Sequence, residues 1–497
     1  MSTNSLPTRS VTAERSTADP RRWLGLAVIA LSTLMVVLDN SIVTIALPDA
    51  QADLGISDTN RQWVVTAYAL AFGGLLLIGG RVADFTGRKR AFIIGLIGFA
   101  AASAVGGIAP DSAILIAARA LQGAFAALLA PAALSLLVET FPEPRERAKA
   151  FGVYGAVQGA GGALGLVVGG MLTEYIDWRW CLLVNLPIAV VALLMAIPTL
   201  RESRASGDRR YDVPGAVLIT AALISFVAAL TFAATPGLGW RAPVTLILLP
   251  VGVVLVIAFF VVEGHTTHPL LPLRIIADRT RGGALLSGLF VFAGMFGMFL
   301  FLTYYFQVNL HYSPLQAGFA FLPFSGGIIL TSTLAASLLP RLGGKVLLAG
   351  GTALGAIGIV LLTGLGTHST YVGGVLPTLI IMSIGLGSAF VPLSALALNG
   401  VASHDAGVAS ALVNVTQQVG GALGTAVLNT VYLSAISFFI VTHRSASATG
   451  FATSVAGLHV AFTVSGALLA AASVVAVVFI VRTKKTTSTP SQDDAPE

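Results

Sequence analysis

Long apolar stretches, each followed by a short polar break, recur along the whole chain and constrain its fold more than any other feature. A helix that crosses the roughly 30 Å hydrocarbon core of a bilayer needs about 20 residues. Fourteen stretches are close to that length, and we predict that each is a transmembrane helix. They lie near 23–47, 61–80, 90–109, 112–138, 147–172, 180–199, 213–234, 242–262, 282–306, 315–338, 345–366, 372–398, 406–436 and 457–481. The pattern predicts an all-α integral membrane protein.

Composition agrees with lipid as the solvent. Charged residues make up 10% of the chain, whereas a soluble domain has about 25%. The net charge of +6 is spread over the loops, so we expect a lipid bilayer and no nucleic acid as partner. The single cysteine, Cys181, cannot form an intrachain disulfide. The first stretch is longer than the core of a signal peptide, and we expect it to be retained.

Lysine and arginine predict the orientation, because they are enriched in cytoplasmic loops. With the N-terminus inside, 23 of the 28 Lys and Arg residues fall in the inner tails and loops, four fall outside, and Arg119 lies within a span. Removing one span would invert every later loop and destroy this asymmetry. We therefore predict a multi-pass protein of the plasma (inner) membrane with both termini in the cytoplasm.

The spans also divide into segments. The tails, 1–22 and 483–497, are rich in Ser, Thr, Pro and charge and are predicted to be disordered and cytoplasmic. We predict a six-helix half at 23–200, two linking helices at 201–263 and a second six-helix half at 264–482.

An internal echo supports the two halves. The run Gly161–Gly165 (GGALG) in the fifth span recurs as Gly420–Gly424 in the thirteenth, and a glutamine precedes each run. Transporters are often built from such repeats, with the substrate site between them. The alternative is that small-residue runs recur by chance in helices rich in Ala and Gly.

Two ionisable residues lie well inside predicted spans, Asp39 in the first and Arg119 in the fourth. A charge at the bilayer centre costs at least ~2.5–3.5 kcal/mol, so such residues usually face a partner or a cavity. Both lie in the outer half of the membrane, at depths that allow them to pair. Asp39 is a candidate proton-binding carboxylate, and the alternative is a fixed salt bridge between two helices.

The inner turn between the second and third spans has the sequence GRVADFTGRKR at 80–90. We expect Gly80 to allow close approach of helices and Gly87 to allow a tight turn. Asp84 can bind helix-end amides or a facing arginine. Arg88 and Lys89 are expected to anchor the inner leaflet. The alternative is an ordinary positively charged inner loop.

This turn resembles the signature G-x-L-A-D-x-x-G-R-K of the major facilitator superfamily, with Val82 in place of Leu. The stretch 38–48 (LDNSIVTIALP) is similar to the first-helix signature of the fourteen-helix drug:proton antiporters in that superfamily. Three further stretches resemble that family: 119–123 (RALQG), 178–187 (WRWCLLVNLP) and 313–318 (SPLQAG).

The resemblance implies a major facilitator fold that works by alternating access, with two six-helix halves and two inserted helices. It also implies a role in proton coupling for Asp39 and Arg119, and a cytoplasmic gate that includes Asp84 and Arg88. Two rivals stay open: a dedicated proton-linked exporter of one metabolite, such as an antibiotic or siderophore, and a non-transporting sensor or assembly protein on the same fold.

One departure from the family concerns its antiporter motif in the fifth span. The glycine spacing is kept by Gly152, Gly161, Gly165, Gly169 and Gly170, but Leu166 stands where the motif has a proline. Glycines at this spacing predict close packing against a neighbouring helix, and the proline would have kinked the helix. Generic packing is the alternative role for these glycines.

Five polar residues in the spans are candidates for the wall of a substrate cavity, and each serves equally well as a hydrogen-bonding link between helices. They are Gln122, Gln158, Asn414, Gln417 and Gln418. No metal-ligand spacing, phosphate-binding loop or nucleophile motif is present. We therefore expect no enzyme activity, metal or cofactor, and a monomer whose partners are a small-molecule substrate and protons. The predicted function is proton-coupled efflux of small, largely apolar compounds.

Overall fold

The computed structural model describes residues 22–141, 143–204, 212–235, 238–266, 269, 271, 273–366, 369–401, 406–442 and 450–481. The predicted disordered tails lie outside these residues, apart from Arg22, where the first helix begins.

The regular elements in the described residues are all helical. Two of the fourteen predicted helices are interrupted and continue in a second segment, and a short helix at Leu273–Ala277 is added, which gives seventeen α-helices. These are α1 (Arg22–Asp53), α2 (Trp63–Thr86), α3 (Arg88–Gly107), α4 (Ser112–Thr140), α5 (Pro144–Tyr175), α6 (Trp180–Leu183), α7 (Asn185–Thr199), α8 (Val213–Ala234), α9 (Pro243–His265), α10 (Leu273–Ala277), α11 (Arg279–Tyr304), α12 (Pro314–Ala320), α13 (Leu322–Leu342), α14 (Gly344–Leu361), α15 (Leu376–Ala397), α16 (Ala406–Thr442) and α17 (Gly450–Phe479). Short π-helical turns at Tyr305–Asn309 and Tyr371–Val375 follow α11 and precede α15.

Twelve helical segments within the described ranges are long and apolar enough to cross a membrane. Helices also occupy the two other predicted positions, namely α2 and the glycine-rich α5. The structure thus gives an all-helical membrane protein with at least twelve candidate spans, while the count of fourteen and the cytoplasmic termini stay predictions.

Helix packing separates two groups. In the first, α1 packs on α5 and α7, and α4 packs on α2 and α3. In the second, α11 packs on α16 and α17, and α15 packs on α13 and α14. The groups meet where α2 contacts α16 and where α5 contacts α12 and α13. Helices α8 and α9 pack on each other, and α8 lies on both α2 and α16, so the linking helices flank one seam between the halves.

The repeated glycine run packs in the same way in both halves. In α5, a Cβ added at Gly161 would meet Val37 of α1, and one at Gly165 would collide with Ser41 of α1. In α16, a Cβ at Gly420 would meet Leu289 of α11, and one at Gly424 would collide with Ala293. Each run therefore lets the fifth helix of a half approach the first helix of that half closely.

Hydrogen bonds join the two halves at both ends of the bundle, and more of the described ones lie at one end. We call this the far end, where α1 ends at Asp53 and α11 ends at Tyr304; the near end is where α1 begins. At the far end Gln307 Nε2 donates to the Ile45 carbonyl at 2.9 Å, and the Leu315 N–H donates to Glu174 Oε2 at 3.1 Å. At the near end Arg81 Nη2 donates to the Pro269 carbonyl at 2.8 Å.

Candidate functional site

A buried ion pair lies in the core of the N-terminal half. Arg119 Nη1 of α4 contacts Asp39 Oδ2 of α1 at 2.5 Å, and the exposed fractions of the two side chains are 1% and 0%. The sequence-predicted pairing of these two residues is therefore present in the structure. Because an isolated buried charge is costly, each of the two groups supplies the counter-charge that the burial of the other requires.

The second oxygen of the same carboxylate accepts two further bonds. Asn185 Nδ2 of α7 donates to Asp39 Oδ1 at 2.7 Å, and Gln122 Nε2 of α4 donates to it at 3.0 Å. Both amides also donate to Ser103 Oγ of α3. Four helices thus converge on Asp39, and the network lies away from water because these residues are fully buried.

The guanidinium of Arg119 is held on three sides. Its Nε donates to the Val64 carbonyl at 3.0 Å, and its Nη1 donates to Gln122 Oε1 at 2.9 Å. The Tyr68 ring lies 4.5 Å below it, a distance typical of a cation–π contact. Its Nη2 has no hydrogen-bond partner among the described residues, so the network is not fully satisfied and the two N–H groups of Nη2 are available for a new acceptor.

The chemistry of this network follows from its members. Arginine keeps its proton in proteins, and Asn, Gln and Ser do not titrate. Asp39 is therefore the carboxylic acid of this network. Protonation would neutralise the acid and leave the Arg119 charge without its partner. The attraction between α1 and α4 would then be weaker.

A close helix crossing shapes this site. Gly123 follows Gln122 on α4, and a Cβ there would collide with the Tyr68 carbonyl of α2. The missing side chain lets α2 approach α4, and this approach brings the Val64 carbonyl and the Tyr68 ring onto Arg119.

A cavity of about 230 Å³ lies between the halves. Its polar lining comes from Asn40, Ser41, Thr44, Ser325, Gln417 and Thr425. Its aromatic lining comes from Phe296, Phe299, Phe324 and Phe390, all in the C-terminal half. No charged residue is among the residues described as lining this cavity.

The cavity and the ion pair share α1 but lie on different faces of it. Asn40 and Ser41 line the cavity, whereas Asp39 is 0% exposed and faces the N-terminal core. Successive residues of a helix point about 100° apart, so adjacent positions serve the two sites. A movement of α1 would affect both sites together.

The five predicted cavity residues have different locations. Gln417 lines the cavity, but Gln122 belongs to the Asp39 network. Gln418 is 7% exposed and packs where α16 meets Gly73 of α2. Asn414 is exposed, and the side chain of Gln158 lies outside the described part of the chain.

The inner turn differs in part from its prediction. Gly87 has φ +114°, a left-handed region that favours glycine, so the predicted tight turn is present. The close helix approach occurs one residue earlier than predicted. A Cβ on Gly79 would collide with the Ala127 carbonyl, whereas one on Gly80 would make an ordinary 3.5 Å contact with Pro131.

Arg88 and Lys89 of this turn contact partners within the N-terminal half. Arg88 Nη1 lies 3.2 Å from Glu139 Oε2 at the end of α4. Lys89 Nζ donates to the Ile197 carbonyl at 2.7 Å. The side chain of Asp84 lies outside what the structure describes. Among the described bonds, the one from Arg81 to the Pro269 carbonyl joins this turn to the C-terminal half.

The antiporter-motif glycines pack on two neighbours. Gly161, Gly165 and Gly169 face α1, and Gly170 faces α12, where a Cβ would lie 2.6 Å from the Leu315 Cα. Gly152 belongs to α5, but its surroundings are outside the described set.

The substitution of leucine for proline leaves α5 continuous. The helix runs unbroken from Pro144 to Tyr175, as expected without a proline at 166. Leu166 is 3% exposed, lines the cavity and packs with the C-terminal core. Its carbonyl faces Gly318 of α12, so this position contacts the opposite half.

The structure adds members that the sequence did not assign to the site. Asn185 and Ser103 have no predicted role, although Asn185 lies in the family-like stretch 178–187. Tyr68 lies under Arg119. For Asn185 the sequence did offer a signal, a single amide at the start of an apolar span. An amide without a hydrogen-bond partner is costly in lipid, so a partner could have been expected.

The chain is similar to known membrane transporters both in sequence and in fold. A family model described as the Major Facilitator Superfamily matches residues 29–425. The puromycin resistance protein of Streptomyces alboniger is 49% identical over 465 residues, which cover 93% of this chain and 92% of that protein. The cephamycin export protein of Amycolatopsis lactamdurans is 41% identical, with 82% and 84% covered. An inward-facing, unoccupied bacterial homolog of the human lysosomal transporter Spinster superposes with a TM-score of 0.65 at 17% identity, covering 92% of this chain and 97% of that chain.

Proposed function

The chain belongs to the major facilitator superfamily, and from this premise we propose that it exports small, largely apolar compounds across the plasma membrane in exchange for protons. Asp39 carries the proton, Arg119 responds to its charge, and the cavity between the halves holds the substrate. The proton gradient drives the cycle, and no cofactor takes part.

One observation carries this proposal. A single helix, α1, presents a buried titratable carboxylate on one face and a polar strip of the cavity on the other. Coupling requires that the proton site and the substrate site bias the same two-state element. The position of α1 meets that requirement because Asp39 and Asn40 are adjacent.

The cycle follows alternating access. With both termini in the cytoplasm, the far end faces outside and is the closed end, so substrate enters from the cytoplasm or the inner leaflet. After the bundle opens at the far end, a proton reaches Asp39 and substrate leaves. The bundle then closes at the far end, Asp39 releases its proton to the inside, and Arg119 again pairs with the carboxylate.

The cavity lining favours the proposed substrate class. Amide and hydroxyl groups supply hydrogen bonds, and four phenylalanines supply an apolar wall. A lining without described charges offers no ion-pair partner, and a multiply charged compound would lose its hydration without compensation. Neutral or singly charged, flat apolar molecules therefore fit this cavity.

The test is ethidium and puromycin transport in energised inverted vesicles. Wild-type transport should collapse with a protonophore, and Asp39→Asn should lower gradient-driven transport at least about tenfold, since the amide cannot carry a proton. Asp49→Asn is the matched control, because it makes the same change on the same helix away from the network. Full gradient-driven transport by Asp39→Asn would exclude Asp39 as the proton carrier.

A second candidate is export of one dedicated compound. The relatives named above are called after single antibiotics, puromycin and cephamycin, which favours a narrow range. A panel of unrelated antibiotics and dyes separates the two candidates, because a dedicated exporter would protect cells against one structural class.

A further inference from the structure

Arg61 is a buried cation at the seam between the halves, near the far end. It lies in the segment that joins α1 to α2, and its exposed fraction is 3%. Its guanidinium carbon lies 4.2 Å from the centre of the Tyr304 ring and 5.3 Å from that of the Tyr432 ring. These rings belong to α11 and α16, so an N-terminal-half charge is held by two C-terminal-half aromatics.

The polar contacts of Arg61 do not match its burial. Arg61 Nη1 lies 3.3 Å from Asp58 Oδ1, and the Asp58 side chain is 60% exposed. Arg61 Nε and Nη2 have no hydrogen-bond partner in the part of the chain that the structure describes. Because a buried charge needs compensation, much of the favourable environment of this guanidinium comes from the two ring faces.

Neighbouring bonds join the halves around the same residue. The Tyr304 hydroxyl donates to Gln51 Oε1 of α1, and Gln51 Nε2 donates to Asp58 Oδ1 at 2.7 Å. Asn429 Nδ2 of α16 donates to the Asp58 carbonyl at 3.2 Å. The segment that carries Arg61 is thus fixed to α11 and α16 at several points.

We propose that Arg61 is the latch of the far end, held between Tyr304 and Tyr432 when that end is closed and released when it opens. Separation of the halves at the far end must remove both rings from the guanidinium, which then regains water. The strength of this aromatic clasp therefore sets how often the far end opens. The inference rests on the alternating-access cycle proposed above, but not on the identity of the substrate or the proton carrier.

The experiment measures access to the cavity directly. A cysteine is placed at Thr44, which lines the cavity, in a Cys181→Ser background that removes the one native cysteine. A membrane-impermeant maleimide is added to intact cells, where it reaches position 44 when the far end is open. The same labelling in inverted vesicles measures access through the near end, and a rise caused by the latch variants in that preparation instead of in intact cells would show a reversed orientation of the chain.

Arg61→Ala should raise the rate of labelling through the far end at least about threefold, and Arg61→Lys should give a smaller rise because its ammonium keeps the charge without the flat guanidinium face. Arg241→Ala is the matched control, since it removes an exposed arginine in the α8–α9 loop and should leave the rate unchanged.

A second pair of variants keeps Arg61 in place and guards against misfolding of Arg61→Ala. Tyr432→Leu removes a ring and should raise the labelling rate, whereas Tyr432→Phe keeps the ring and should not. Equal rates for Arg61→Ala and wild type, or for the two Tyr432 variants, would overturn the latch. Loss of ethidium transport with the labelling differences intact would count against the proposed substrate and leave the latch standing.

Discussion

The first helices of the two halves pack alike but carry opposite chemistry. Val37 and Ser41 of α1 meet the α5 glycines, and Leu289 and Ala293 of α11 meet the α16 glycines. Midway between each pair lie Asp39 and its counterpart, Val291. Both are 0% exposed, yet one belongs to an ion-pair network and the other to an apolar core.

The difference shows that the same helix packing can surround a charged network in one half and an apolar core in the other. A buried charge requires a set of partners, and the N-terminal half supplies most of one from α2, α4 and α7. The C-terminal half needs no such set, and its core contains phenylalanines and tyrosines. Phe296 and Phe299 extend that aromatic character to the cavity wall. Under the proposed function, the proton site would lie in the N-terminal half and the aromatic substrate contacts in the C-terminal half.

The strongest way to break this comparison is to remove one partner of the ion pair. Arg119→Met leaves the Asp39 carboxylate buried without its counter-charge, and removal of one partner of a buried pair costs about 3–5 kcal/mol. We therefore expect a large fall in the unfolding midpoint. The midpoint is measured on the purified protein in detergent, by light scattering or tryptophan fluorescence.

The double variant Asp39→Val with Arg119→Met is its control. It makes the N-terminal core resemble the C-terminal one, and exchange of a buried ion pair for apolar groups is often neutral or stabilising. The double variant should recover most of the lost stability but transport nothing against a gradient. A double variant less stable than Arg119→Met alone would show that the network is required for folding.

A moderate effect should distinguish the two glycine runs. A Cβ at Gly424 would collide with backbone atoms of Ala293, whereas one at Gly165 would first meet the Ser41 hydroxyl, which can rotate. We expect Gly424→Ala to cost about 1–3 kcal/mol, as overpacking usually does, and Gly165→Ala to cost less. Unfolding midpoints of both variants, with Gly165→Ala also made in a Ser41→Ala background, measure the difference.

The smallest effect is expected at the inner turn. Arg88 and Glu139 have side chains 24% and 44% exposed, and exposed ion pairs contribute up to about 1 kcal/mol. Arg88→Gln should therefore shift the unfolding midpoint only slightly, in contrast to Arg119→Met. A shift as large as that of Arg119→Met would mean that this turn stabilises the whole half.

The sequence alone predicted most about the features that a lipid environment requires. Lipid requires long apolar helices, so the membrane class and the positions of the helices follow from the apolar stretches. The cost of charge in lipid singled out Asp39 and Arg119 and suggested that they pair. Motif spacing pointed to the superfamily that the family model matches.

The tertiary structure decided which way each helix faces. Apolar periodicity is weak in helices that meet lipid on one side and protein on the other, so it does not fix rotation about the helix axis. For that reason the sequence left Gln122 open between a cavity wall and a hydrogen-bonding link between helices, and the structure places it beside Asp39. It also put the close approach at Gly80, and the structure puts it at Gly79.

The same division explains the residues that the sequence did not assign. Asn185 donates both to Asp39 and to Ser103 from a helix distant in the chain. Arg61 belongs to a loop, and its burial comes with its contacts to α11 and α16. The sequence by itself determined a helical membrane protein and singled out Asp39 and Arg119, because the bilayer penalises unpaired backbone groups and buried charges. Only the packing of helices far apart in sequence decided the partners of that pair and the seam that holds Arg61.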